Sequence, residues 1–135
     1  MELHMMFVGS EDMLNRCRQP RSELMTSVSS IVGQKCYGPV LEFIGVNVVF
    51  QDTGIMELKR RLSRKRKEFC IDVELSRQWV EAASGVEIKL ALLGCLIEAI
   101  RAAGQCLKDE QHSFASEDVI ADLQTLLDEF SETTQ

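Results

Sequence analysis

The sequence predicts a single two-layer α+β domain over residues 1–135: an antiparallel meander sheet with a long core helix packed on one face. Three observations predict it. From Val86 to Lys108, apolar residues recur at Val86, Leu90, Leu93, Ile97, Ile100 and Leu107, and Ile88, Leu92, Leu96, Ala99 and Ala103 widen that stripe around most of the cylinder. A helix with so little polar circumference belongs in a core. Phe69, Ile71, Val73 and Leu75 alternate with Cys70, Asp72 and Glu74, the pattern of a strand with one buried and one wet face. Finally, three strand-like runs follow one another between residues 40 and 75 with only turn-sized gaps, the spacing expected of a meander.

The elements follow in order. Leu3 to Val8 is a short apolar run closed by Gly9-Ser10 and reads as a buried strand. Ser10-Glu11-Asp12 opens a helix with a capping hydroxyl and two acids suited to the dipole. Met13, Leu14 and Cys17 supply its inner face until Pro20, where a kink or a new helix is expected. Leu24, Met25, Val28, Ile31 and Val32 continue the helical spacing, and Gly33 is a natural stop. Tyr37-Gly38-Pro39 is a turn into a first meander strand, residues 40–51, in which Gly45 suggests a bulge. Asp52-Thr53-Gly54 leads to a second strand, Ile55 to Leu62, with Met56, Leu58 and Leu62 alternating against Glu57, Lys59 and Arg61. The basic turn 63–67 leads to the third strand. Ser76 caps a short helix with Trp79 and Val80, ended by Ser84-Gly85; the core helix follows, with Gly104 loosening its last turn. After a polar loop over residues 108–115, Ser116-Glu117-Asp118 starts an amphipathic helix whose inner face is Val119, Ile120, Leu123, Leu126, Leu127 and Phe130. The tail 131–135 reads as frayed.

Composition and charge narrow the function. An apolar fraction of 45% with 27% charged residues is that of a globular domain. The start MELHMMFVGSEDM holds no secretory h-region, and the core helix is too charged to span a bilayer, so a cytoplasmic protein is expected. Five cysteines, Cys17, Cys36, Cys70, Cys95 and Cys106, lie at irregular gaps and read as reduced thiols. The net charge of −6 is unevenly placed. Residues 109–135 hold eight of the 21 acids and no Lys or Arg, leaving 13 acids against 15 bases, +2, in residues 1–108. Seven of those bases fall within KRRLSRKRK, residues 59–67. The chain has one basic edge and one acidic end.

No catalytic constellation is visible. His4 and His112 stand apart, neither at metal-ligand spacing nor beside a nucleophile motif, and the glycines form no phosphate loop. No cofactor and no metal site is predicted. Asp72 and Glu74 share a strand face, but alternating acids on a wet face usually solubilise it rather than catalyse. Lys59, Arg60, Arg61, Arg64, Lys65, Arg66 and Lys67 could neutralise phosphates, yet no aromatic side chain is interleaved for base stacking. A charged hairpin that protects a sheet edge, or meets a partner, is the better reading. The last helix offers Glu117, Asp118, Asp122, Asp128 and Glu129, either for solubility or as a negative field for a basic partner.

The segment KEFCIDVELSRQWVEAASGVEIKLALLGCLIEAI, residues 67–100, resembles the small immunity proteins of bacterial polymorphic-toxin and contact-dependent growth inhibition systems. There a strand of the form F-x-I-D-V-x-L passes through a short helix into a long apolar one; Phe69, Ile71, Asp72, Val73 and Leu75 stand at those positions. The resemblance covers residues 40–108 and its matched positions are structural, so it carries over no toxin-binding residue. It implies a protein without enzymatic activity that binds and neutralises a cognate toxin domain, a nuclease being favoured, by blocking its active site. The expected partner-binding residues are Glu117, Asp118, Asp122, Asp128 and Glu129, with Arg64, Lys65 and Arg66 of the basic hairpin and Asp72 and Glu74 of the third strand. The alternative is a nucleic-acid-binding or regulatory module using residues 59–67. The oligomeric state is left open by the sequence.

Overall fold

A computed structural model describes residues 2–35, 43–52, 56–63, 68–109 and 116–132. Strand β1 (Glu2–Val8) is followed by helix α1 (Glu11–Lys35) and by strands β2 (Phe43–Gln51), β3 (Met56–Ser63) and β4 (Glu68–Ser76). Helices α2 (Arg77–Ala82), α3 (Gly85–Asp109) and α4 (Ser116–Glu132) complete the chain. The domain is α+β, but its sheet is not a meander. The strand order is β1-β2-β4-β3, with β1 parallel to β2, β2 parallel to β4, and only β3 antiparallel to its neighbour.

The correction has a physical reason. A short connection had been equated with pairing, yet β4 is inserted between β2 and β3. Central places in this sheet go to strands whose helix-facing row is apolar throughout. β4 presents Ile71, Val73 and Leu75, all buried, and β2 matches them with Val46, Val48 and Phe50. β3 has Arg60 in register with Ile71, a charge in the row that a central strand would have to place beneath the helices, so it takes the edge. The parallel pair β1–β2 is made by α1, which returns the chain to the starting end of the sheet.

Cross-strand pairing sorts the side chains into two faces. Met5, Val46, Val48, Phe50, Ile71, Val73 and Leu75 face the helices and form one core with Cys17, Leu24 and Val28 of α1 and Leu92, Leu93, Leu96 and Ile100 of α3. The long helix does lie across the sheet, against β2 and β4, while α1 packs on β1 and α4 packs on α1 and α3. Each fully buried aliphatic side chain contributes about 1.5–3 kcal/mol, so this cluster supplies the main driving force. Val86, assigned to the buried stripe, is instead 40% exposed at the first turn of α3. On the other face of the sheet, among the described residues, no helix packs; Met6, Val8, Asn47, Val49, Asp72 and Glu74 lie there.

Several local expectations are met. The Ser76 Oγ accepts from the Trp79 N–H at 3.3 Å and caps α2. Beyond what the sequence suggested, Ser84 and Glu87 form a reciprocal capping box at the start of α3: the Glu87 N–H donates to the Ser84 Oγ at 3.2 Å and the Ser84 N–H to the Glu87 carboxylate at 3.0 Å. Others are not. α1 continues as one helix through the buried Pro20, so no new helix starts there, and it runs past Gly33 to Lys35. Gly45 sits in regular register between His4 and Cys70, so it marks no bulge. Gly104 lies within α3, which continues to Asp109. The turns expected at Tyr37-Gly38-Pro39 and Thr53-Gly54, the basic turn at 64–67, the loop over 110–115 and residues 133–135 lie outside the described residues.

Candidate docking surfaces

Three surfaces carry the polar side chains singled out by sequence or by geometry. The first is the outer face of α4. At about 100° per residue, Glu117, Asp118, Asp122, Asp128, Glu129 and Glu132 fall within an arc of roughly 140°, opposite the apolar side chains. Glu117, Asp118, Asp128, Glu129 and Glu132 are exposed and Asp122 is half-buried, whereas Val119 and Leu123 are fully buried on the inner side. Glu117 and Asp118 suit the positive pole of the helix. Glu129 and Glu132 lie in the last turn, at the negative pole of the helix, and that turn contains no basic residue of its own.

The second surface is the open face of the sheet. Asn47 Nδ2 donates to Asp72 Oδ1 at 2.9 Å across β2 and β4, which fixes the Asp72 carboxylate beside Val49 and Glu74. Register places Lys59 opposite Asp72 and Glu57 opposite Glu74. Asp72 and Glu74 thus belong to the side of the domain turned away from α4. The expected partner-binding residues do not form one surface: the α4 acids gather, Asp72 and Glu74 stand apart from them, and Arg64, Lys65 and Arg66 lie outside the described residues. Of the basic hairpin, Lys59, Arg60 and Arg61 are placed on edge strand β3.

The third surface is a groove of about 410 Å³ between α1 and the start of α3, lined in part by Arg16, Pro20, Glu23, Ser84 and Lys89. Sequence reasoning missed it, because its residues come from segments some 65 positions apart. Its charges are committed to the fold. The Arg16 guanidinium donates to the Val80 carbonyl at 2.9 Å and to the Ala83 carbonyl at 2.5 Å, anchoring the end of α2 to α1. Lys89 Nζ is 2.8 Å from the Glu23 carboxylate and 4.6 Å from the centre of the Phe130 ring, tying α3 to both α1 and α4. The Lys89 ammonium, as hydrogen-bond donor and as charge, holds the Glu23 carboxyl below its ordinary range. Such a groove is built as a joint between helices.

Nucleophilic chemistry finds no support in the described thiols. Cys17 and Cys95 are buried thiols outside any disulfide. Burial pushes the Cys17 thiol up to about 11, against a smaller opposing pull from Arg16, and the Cys95 thiol up to about 12. Both stay protonated at neutral pH. Among the described residues no group of three His, Cys, Asp or Glu side chains is arranged to hold a metal ion, and no helix is long and apolar enough to cross a membrane. No known family, no curated protein and no solved structure matches this chain.

Proposed function

We propose that the protein is a stoichiometric inhibitor of the bacterial immunity type, which binds a cognate toxin domain and blocks its active site. The acidic outer face of α4 carries this reading: six acids in one arc over roughly 22 Å, from the first turn to the last. A helix face of one sign of charge is suited to a basic partner, and a nuclease cleft is built to attract polyanions. The stripe would accelerate encounter and orient docking, while the rigid three-helix layer beneath it holds the charges at fixed spacing.

Co-purification with the toxin domain encoded in the neighbouring reading frame tests the reading. A 1:1 complex is expected, with association that slows steeply as salt rises, and protection of cells from the toxin. Reversing Asp128, Glu129 and Glu132 to Lys, all exposed positions, should abolish the salt-sensitive part of the on-rate. Absence of a complex, or a complex indifferent to these reversals, contradicts it. A second reading is favoured by the placement of Lys59, Arg60 and Arg61 on an edge strand: a strip of positive charge along the sheet border for a nucleic acid. It requires RNA or DNA binding that weakens with salt and is lost on replacing Arg64, Lys65 and Arg66 by Ala.

A further inference from the structure

We propose that the chain forms a two-fold dimer in which β1 pairs antiparallel with β1 of a second copy, joining two four-stranded sheets into one. Among the described residues β1 is hydrogen-bonded to β2 alone and is the border of the sheet. The unpaired row of N–H and C=O groups on such a strand is a template for another strand unless the sequence blocks it. Here nothing blocks it. Glu2–Val8 contains no proline, its only charged residue is Glu2 at the end, and its register with β2 runs without a bulge. Met6 and Val8 are 60% and 51% exposed on its outer face. Parallel strands are normally covered on both faces, so this apolar rim is unusual as a surface left to water.

Charge selects the occupant and the edge. In a two-fold pairing centred on Met5, Met5 meets its own copy, Met6 meets His4, Phe7 meets Leu3 and Val8 meets Glu2. No like charges oppose one another, and the helix-facing side chains of Met5 and Phe7 approach their counterparts. The same operation on β3, centred on Arg60, sets Lys59 against Arg61 and Arg60 against itself, which like-charge repulsion forbids. The acids of α4 point away from the sheet, so they do not gather at the joint. A dimer would therefore leave the α4 surface of each copy open, and the proposal stands independently of the toxin reading.

Sedimentation equilibrium on the full chain, from micromolar to sub-millimolar concentration, is the test. A mass rising to twice 15.2 kDa is expected, together with concentration-dependent hydrogen-exchange protection of the β1 amides. Met6→Glu with Val8→Glu changes two exposed side chains, sets a carboxylate at position 8 against Glu2 of the other copy, and should weaken association by about a hundredfold or more, through lost apolar burial and like-charge repulsion. The β1 protection should vanish with it. A wild-type chain that remains at 15.2 kDa, or a double variant that associates as tightly as wild type, overturns the proposal. So does a dimer whose β1 amides exchange at the same rate as in the monomer.

Discussion

Replacing Gly9 by Ala should destabilise the protein, although Gly9 is an exposed residue at the end of β1. A Cβ built there lies 2.4 Å from Cδ2 and 3.2 Å from Cε2 of Phe50. Carbon atoms in contact sit about 3.5–4.0 Å apart, so the ring or the strand end must move by about 1 Å. The ring has nowhere to go: Phe50 is 3% exposed and lies nearly parallel to Phe7, with centroids 6.4 Å apart and planes 5° from coplanar. Overpacking of this kind costs about 1–3 kcal/mol. With an unfolding entropy of roughly 2.1 cal/mol/K per residue, 135 residues give about 0.28 kcal/mol/K, so the Tm should fall by about 4–11 °C. The opposite sign is what chain entropy alone demands, since Gly→Ala at an unstrained site stabilises by about 0.4–1 kcal/mol. Thermal and urea melts of wild type and Gly9→Ala decide between them. Adding Phe50→Leu should recover part of the loss, giving a non-additive double-mutant cycle. A Gly9→Ala variant as stable as wild type, with an unchanged urea slope, would show that Gly9 does not seal Phe50.

Other outcomes follow from the same packing. Leu96→Ala, at a fully buried position of α3, should lose about 3–5 kcal/mol in urea unfolding. Ser84→Ala removes one half of the capping box and should lower stability by about 1 kcal/mol in the same assay. Because the Glu23 pKa is lowered in the folded state, its stabilising contribution is complete above its ordinary value of 4.5 and is lost as pH falls through the folded value. The difference in urea midpoint between wild type and Glu23→Gln should accordingly narrow on acidification below that value. Iodoacetamide at pH 8 should leave Cys17 and Cys95 unmodified in the native protein and label both in urea, as read by peptide mass mapping.

The sequence was most informative where a signal is local. The alternation along Phe69 to Leu75, the Ser76 cap, the apolar periodicity of α3 and the two-sided character of α4 each depend on neighbours within a few residues, and the structure bears them out. Strand order is non-local, and there the reading failed. The signal that could have corrected it is the composition of β2: Ile44, Val46, Val48, Val49 and Phe50 make a nearly continuous apolar run, the mark of a central parallel strand rather than of a half-wet meander strand. Pro20 is a related case: propensity weighs a proline by its lost donor and its clash, whereas this one is buried and the helix continues through it. Of the candidate surfaces, the α4 stripe was legible because it lies on one helix. The Asn47–Asp72 pair was not, since its partners are 25 residues apart.

The insertion of β4 between β2 and β3 sets an order on synthesis. When β2 and β3 leave the ribosome they have no bonds to exchange with one another; β2 can pair with β1, but β3 waits for residues 68–76. The β3–β4 ribbon, contiguous in the chain, is the fast local event; docking its free side onto β2 is the slower closure that completes the sheet. Until then the edge of β2 away from β1 is open to misassociation, and a ribosome stalled before Glu68 would carry only the β1–β2 pair, with the place of β4 unfilled.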